Sequence, residues 1–182
     1  GIKMNKHYIS LELPKILEML SAFTSCEDAR ETALNLKPEH NLKMAEALLK
    51  QTDDAYLLMA KFGAPSFGGL KNVNNSLSRA SAGGVLNMRE LLDIAEVLRV
   101  IRSLAEWRSK NAGVETVLDN YFCALMPNKF LEQRITTAII SEEEMSDNAS
   151  PALYDIRRKI RAASSKVRDQ LDKLTHSQYY QK

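Results

Sequence analysis

The chain has 182 residues, 45% of them apolar, with 25 Lys or Arg against 23 Asp or Glu and a formal net charge of +2. That length can bury one sizeable core, or one core plus an extended arm. Seven Gly and five Pro argue against a strand-and-turn-rich fold, and no apolar run reaches the roughly 20 residues that span a bilayer.

Leu, Ala, Glu, Lys, Arg and Met abound, so an all-α fold is expected, with a core of six or seven helices. Leu13-Pro14 followed by Ile16, Leu17 and Leu20 predicts a first helix with Pro near its start. Ser25 is expected to cap a second helix, with Asp28 favouring its N-terminal end and the helix stopping before Pro38. Asn41 caps a third, whose apolar stripe is Leu42, Ala45, Leu48, Leu49, Ala55, Leu58, Met59 and Phe62. Gly63 to Lys71 reads as a loop with Phe67 tucked into the core. A short helix through Leu77 and Ala80 stops at Gly83-Gly84. Asn87 opens a long helix with Leu91, Leu92, Ala95, Leu98, Ile101, Leu104 and Ala105 on one face. Two shorter helices, 114–126 and 128–137, are expected on either side of Pro127. The stretch 139–149, acidic at Glu142, Glu143, Glu144 and Asp147, has no helical stripe and reads as an irregular loop or small hairpin.

The last segment differs in charge. Residues 151–182 hold eight Lys or Arg against three Asp, a net of +5, so the rest of the chain comes to about −3. Leu153, Ile156, Ile160, Ala163, Val167, Leu171 and Leu174 recur at steps of three and four, which is one narrow apolar seam on a long helix. Ser150 stands at the N-cap and Pro151 at the first helical position.

Candidate chemistry is sparse. The loop 63–71 approaches a phosphate-binding pattern, but Gly69 and Leu70 occupy the places of the Lys and the hydroxyl, and a helix rather than a strand precedes it. Glu142–Glu144 read as a solvated turn rather than metal ligands. His7, His40 and His176 are dispersed, and Trp107 reads as the edge of the core. Cys26 and Cys123 belong to no C-x-x-C pair and read as buried or half-buried thiols of a reduced cytosol. No leader-like segment opens the chain, so a cytoplasmic setting without membrane contact is expected. The remaining candidates are the cations Arg157, Arg158, Arg161, Lys166 and Arg168, which would contact nucleic-acid phosphates if the arm bound them directly. The competing reading is a solvated face of a helix whose seam packs on a neighbour. No enzyme site, cofactor site or metal site is predicted within these residues.

Several blocks in order carry a resemblance: LELPKILEML near the start, QTDDA at 51–55, FGG at 67–69, GVL at 84–86 and ASPAL at 149–153. Together they resemble the N-terminal region of the type-two bacterial MutS proteins, the MutS paralogues that carry a C-terminal Smr nuclease domain. The resemblance runs from about Tyr8 to Leu174. The leading Gly1 reads as a cloning remnant, leaving residues 1–3 as remnant or native extension with the native start near Met4. The resemblance implies 4–140 as a helical core domain and 141–149 as a linker or hairpin. Residues 150–182 would be the first lever helix, cut before the clamp. It further implies a non-catalytic scaffold within a homodimeric protein that works on branched DNA or ribosomes. That protein's ATP, Mg and nuclease chemistry would lie in domains beyond Lys182. Ile156, Ile160, Val167, Leu171 and Leu174 would then be bare here, and are expected either to find a second copy of the arm or to fray.

Overall fold

A computed structural model describes residues 6–176; residues 1–3, expected as a remnant or native extension, and the last residues of the expected lever helix, 177–182, lie outside the described residues. The fold is all-α. In chain order the helices are α1 (Lys6–Ser10), α2 (Leu13–Ser21), α3 (Glu27–Leu34), α4 (Leu42–Phe62), α5 (Asn74–Ser81), α6 (Met88–Lys110), α7 (Asp119–Cys123), α8 (Lys129–Ala138) and α9 (Pro151–Thr175). None of them is long and apolar enough to cross a membrane.

Local signals explain most boundaries. Pro14 has no N–H to continue a helix from α1, and Glu12 turns the chain at φ 55, so α1, which the apolar pattern does not announce, stops short of α2. Asn41 accepts from Met44 N–H at 3.2 Å to open α4. Asn87 and Glu90 form a reciprocal capping box on α6, each side chain taking the other's backbone N–H at 2.9 Å. Gly83, at φ 81, lets Gly84 N–H reach Arg79 C=O at 2.9 Å and close α5. Asn128 caps α8 through Leu131 N–H at 3.0 Å.

The core lies between α6 and α8, where Ile94, Ala95, Ile135 and Ile139 are buried together, with Leu91, Leu92 and Leu98 packed around them. Arg102 on α6 grips Glu132 on α8 with two bonds of 2.9 Å, a fork-on-fork pair that fixes the register of the two helices. Arg89 pairs with Glu142, tying the acidic turn to α6.

Five expectations are corrected. Ser25 does not cap α3: Cys26 occupies the N-cap and offers no side-chain bond, leaving Glu27 and Asp28 to oppose the dipole. The stripe of α4 is largely exposed, because only Leu58 and the unforeseen Asp54 of this helix are buried. Phe67 is 43% exposed, because the loop lies on α6 through its backbone. There Gly68 C=O accepts from Arg99 at 3.2 Å, and Gly69, at φ 90, leaves no room for a Cβ beside Glu96. The helix expected over 114–126 shrinks to α7. Arg108 takes Val114 C=O at 2.5 Å, Asp119 takes Thr116 N–H at 2.7 Å, and Asp54 takes Val117 N–H at 2.9 Å. Val114 C=O and Val117 N–H are thereby withdrawn from an intrahelical ladder. Cys123 is exposed rather than buried, and Cys26 is half-buried. Between α8 and α9 a single antiparallel bridge, Ile139 to Met145, stands where the hairpin was allowed for, followed by a 3-10 turn over Asp147–Ala149.

Candidate functional site

The long helix α9 begins as its sequence dictates. Ser150 accepts from Leu153 N–H at 3.2 Å, Pro151 occupies the first turn, and the helix continues for 25 residues, roughly 37 Å. Its base is clasped to the preceding turn by Asp147. One carboxylate oxygen accepts from Arg157 at 2.7 Å and the other from Arg161 at 2.9 Å, while Arg157 also donates to Met145 C=O at 2.7 Å. The Arg157 guanidinium, followed by that of Arg161, holds the Asp147 carboxyl below the usual carboxylate range.

The five candidate cations therefore do not form one patch. Arg157 and Arg161 are engaged at the base, and Arg158 faces Asp155 at 3.4 Å one turn back. Lys166 and Arg168 are exposed and have no ion-pair partner among the described residues, and the same holds for Lys159 and Lys173. Along the seam, Ile156, Ile160, Val167, Leu171 and Leu174 are each 52–58% exposed. The helix thus presents an uncovered apolar line bordered by cations.

Elsewhere the side chains serve the fold. Trp107 packs on Phe122 with ring centroids 5.9 Å apart, and His176 lies at the end of α9 with its Nδ1 2.8 Å from Asp172 C=O. The charged groove between the 63–71 loop, α6 and α8 is occupied by its own pairs, Lys71 with Asp93 at 3.3 Å and Arg99 with Glu96 at 2.6 Å. No group of three or more His, Cys, Asp or Glu able to hold a metal occurs among the described residues.

Two residues with structural consequence escape a reading of stripes and patches. Asp147 is one; an acid shortly ahead of Arg157 and Arg161, which share a helix face four residues apart, is the available signal. Asp54 is the other. It lies one turn before Leu58 on the buried side of α4, and an acid on an apolar stripe signals a specific partner.

No protein-family model matches the chain. Curated relatives do, among them three called Endonuclease MutS2. The protein from Acetivibrio thermocellus is 39% identical over 176 residues, 94% of this chain. That from Ruminiclostridium cellulolyticum is 38% identical over 174 residues, and that from Agathobacter rectalis 36% over 177. The chain spans 22% of the length of each of these relatives. It therefore matches a segment of MutS2-type proteins.

Proposed function

Because the chain matches a segment of MutS2-type proteins, we propose that it is the N-terminal helical core and first lever helix of such a protein, a mechanical module rather than a catalytic one. Residues 4–140 form the core, 141–149 the link and 150–182 the lever. The carrying observation is the long helix α9, clasped at its base by Asp147 and bare along its seam. A helix fixed at one end transmits displacement, and a bare seam awaits a neighbour. In this reading the parent is a homodimeric cytoplasmic ATPase using ATP and Mg through domains outside this segment. Its clamp grips branched DNA or ribosomes, in recombination suppression, DNA repair or ribosome rescue, and nuclease activity also belongs to those other domains.

The competing reading is direct nucleic-acid binding through Arg157, Arg158, Arg161, Lys166 and Arg168. Two of those cations, Arg157 and Arg161, already hold Asp147, which favours the scaffold. Titration with branched and linear DNA across a salt series separates the two. Phosphate contacts lower log K with log salt by about 0.9 per contact. Weak or undetectable binding is expected. Tight, salt-steep binding that is lost in Arg158→Ala/Lys166→Ala/Arg168→Ala would replace the scaffold with a DNA-binding module.

A further inference from the structure

The charges beside the α9 seam are arranged residue by residue. Ile160 lies between Lys159 and Arg161, Val167 between Lys166 and Arg168, and Leu174 directly follows Lys173. Residues one step before and one step after a seam position project to opposite borders of an α-helical stripe. Lys159, Lys166 and Lys173 recur every seven residues and form one border, while Arg157, Arg161 and Arg168 run along the other. The acids are elsewhere. Asp169 and Asp172 fall on the face away from the seam, and Asp155 is taken up by Arg158. Asp155, Asp169 and Asp172 stand three or four residues along the helix from these cations, yet Lys159, Lys166, Arg168 and Lys173 form no ion pair among the described residues.

From this pattern we infer that the seam of α9 receives an amphipathic helix whose own apolar line is bordered by Asp or Glu, and that a second copy of this chain is not its occupant. A second copy, parallel or antiparallel, sets a basic border against a basic border beyond the base, where Asp147 holds Arg157 and Arg161, and like charges facing across a helical seam select against that pairing. An acidic-bordered helix buries the same apolar residues and pairs with the Lys row and with Arg168, while Asp147 keeps Arg157 and Arg161 at the base. Ile156 to Leu174 covers about 27 Å, a little over two and a half heptads, so the occupant has at least that length. The inference rests on the scaffold reading in taking α9 as a helix built to be covered; it adds the chemistry of what covers it.

The full chain is titrated with two synthetic helical peptides of about four heptads that share a Leu/Ile seam and differ only in carrying Glu or Lys at the bordering positions. The Glu peptide is expected to bind, more weakly as salt rises, and the Lys peptide to bind at least about tenfold more weakly. Lys159→Glu/Lys166→Glu/Lys173→Glu should reverse the preference. These side chains are exposed, so unchanged helix content by circular dichroism shows that the variant is folded. Equal binding of both peptides, binding of neither, or a chain dimer in sedimentation that Val167→Asp abolishes would each overturn the inference. The scaffold reading stands or falls separately, on DNA binding in the salt titration.

Discussion

Asp54, on the buried side of α4, accepts the backbone N–H of Val117 at 2.9 Å from 63 residues away, while its other oxygen takes Lys50 Nζ at 2.6 Å. A carboxylate only 2% exposed thereby fastens the connection after α6 to α4, and the Lys50 bond, more than the Val117 N–H, holds its pKa below the usual range. Beside it, Arg108 donates to Asp119 at 2.5 Å, and the two acids between them accept the Thr116 and Val117 N–H groups of the irregular stretch before α7.

Replacing Asp54 by Ala leaves Val117 N–H without its acceptor. Faster amide exchange is expected at Val117, with little change in α8. Asp54→Asn, which keeps an acceptor and loses the Lys50 ion pair, should fall between the two. Unchanged exchange at Val117 in Asp54→Ala would mean that the bond contributes nothing.

The two faces of α4 should respond differently to truncation. Leu58→Ala is expected to cost about 2–4 kcal/mol, since that side chain is buried. Leu49→Ala, on the exposed side, should stay within about 0.5 kcal/mol. Urea unfolding of the two variants measures the contrast.

Removing the α6 cap with Asn87→Ala is expected to cost about 1 kcal/mol, because the Glu90 N–H loses its acceptor and the capping box is broken. The same urea experiment reads it, with the midpoint shifting and the slope unchanged.

Asp147→Ala should loosen the first turns of α9 without unfolding the body. Arg157 and Arg161 lose their shared partner, and amide exchange from 152 to 158 should quicken while α6 stays protected. The freed guanidinium groups should also raise weak, salt-sensitive DNA binding.

Stability should fall on acidification. Asp54, Asp119, Glu90, Glu132 and Asp147 all have carboxyls held below their ordinary pKa by hydrogen bonds with Lys50, Arg108, Asn87 N–H, Arg102 and Arg157 respectively. With folded values below unfolded ones, the unfolded state takes up protons first. The contribution is complete above the ordinary carboxylate range, about pH 4, and is lost as the pH drops through the folded values. Urea midpoints should be flat near neutrality and decline below that range.

What the sequence determined by itself is local. Asn41, Asn87, Asn128 and Ser150 each cap a helix within three residues of their own position, and Gly83-Gly84 ends α5, so these boundaries follow from contacts that neighbouring residues make alone. The seam of α9 is equally legible, because its period is written along one helix. Tertiary structure decided which stripes are covered. Leu58 and Leu49 are both Leu on the apolar stripe of α4, and the fold buries one and leaves the other in solvent. It decided the charge partners too: Asp54 meets Val117, Arg102 meets Glu132, and Asp147 claims two of the five arginines and lysines first read as one basic face. Each of those pairs joins separate elements of the fold, and a period along one helix carries no information about which distant backbone or charge will arrive beside it.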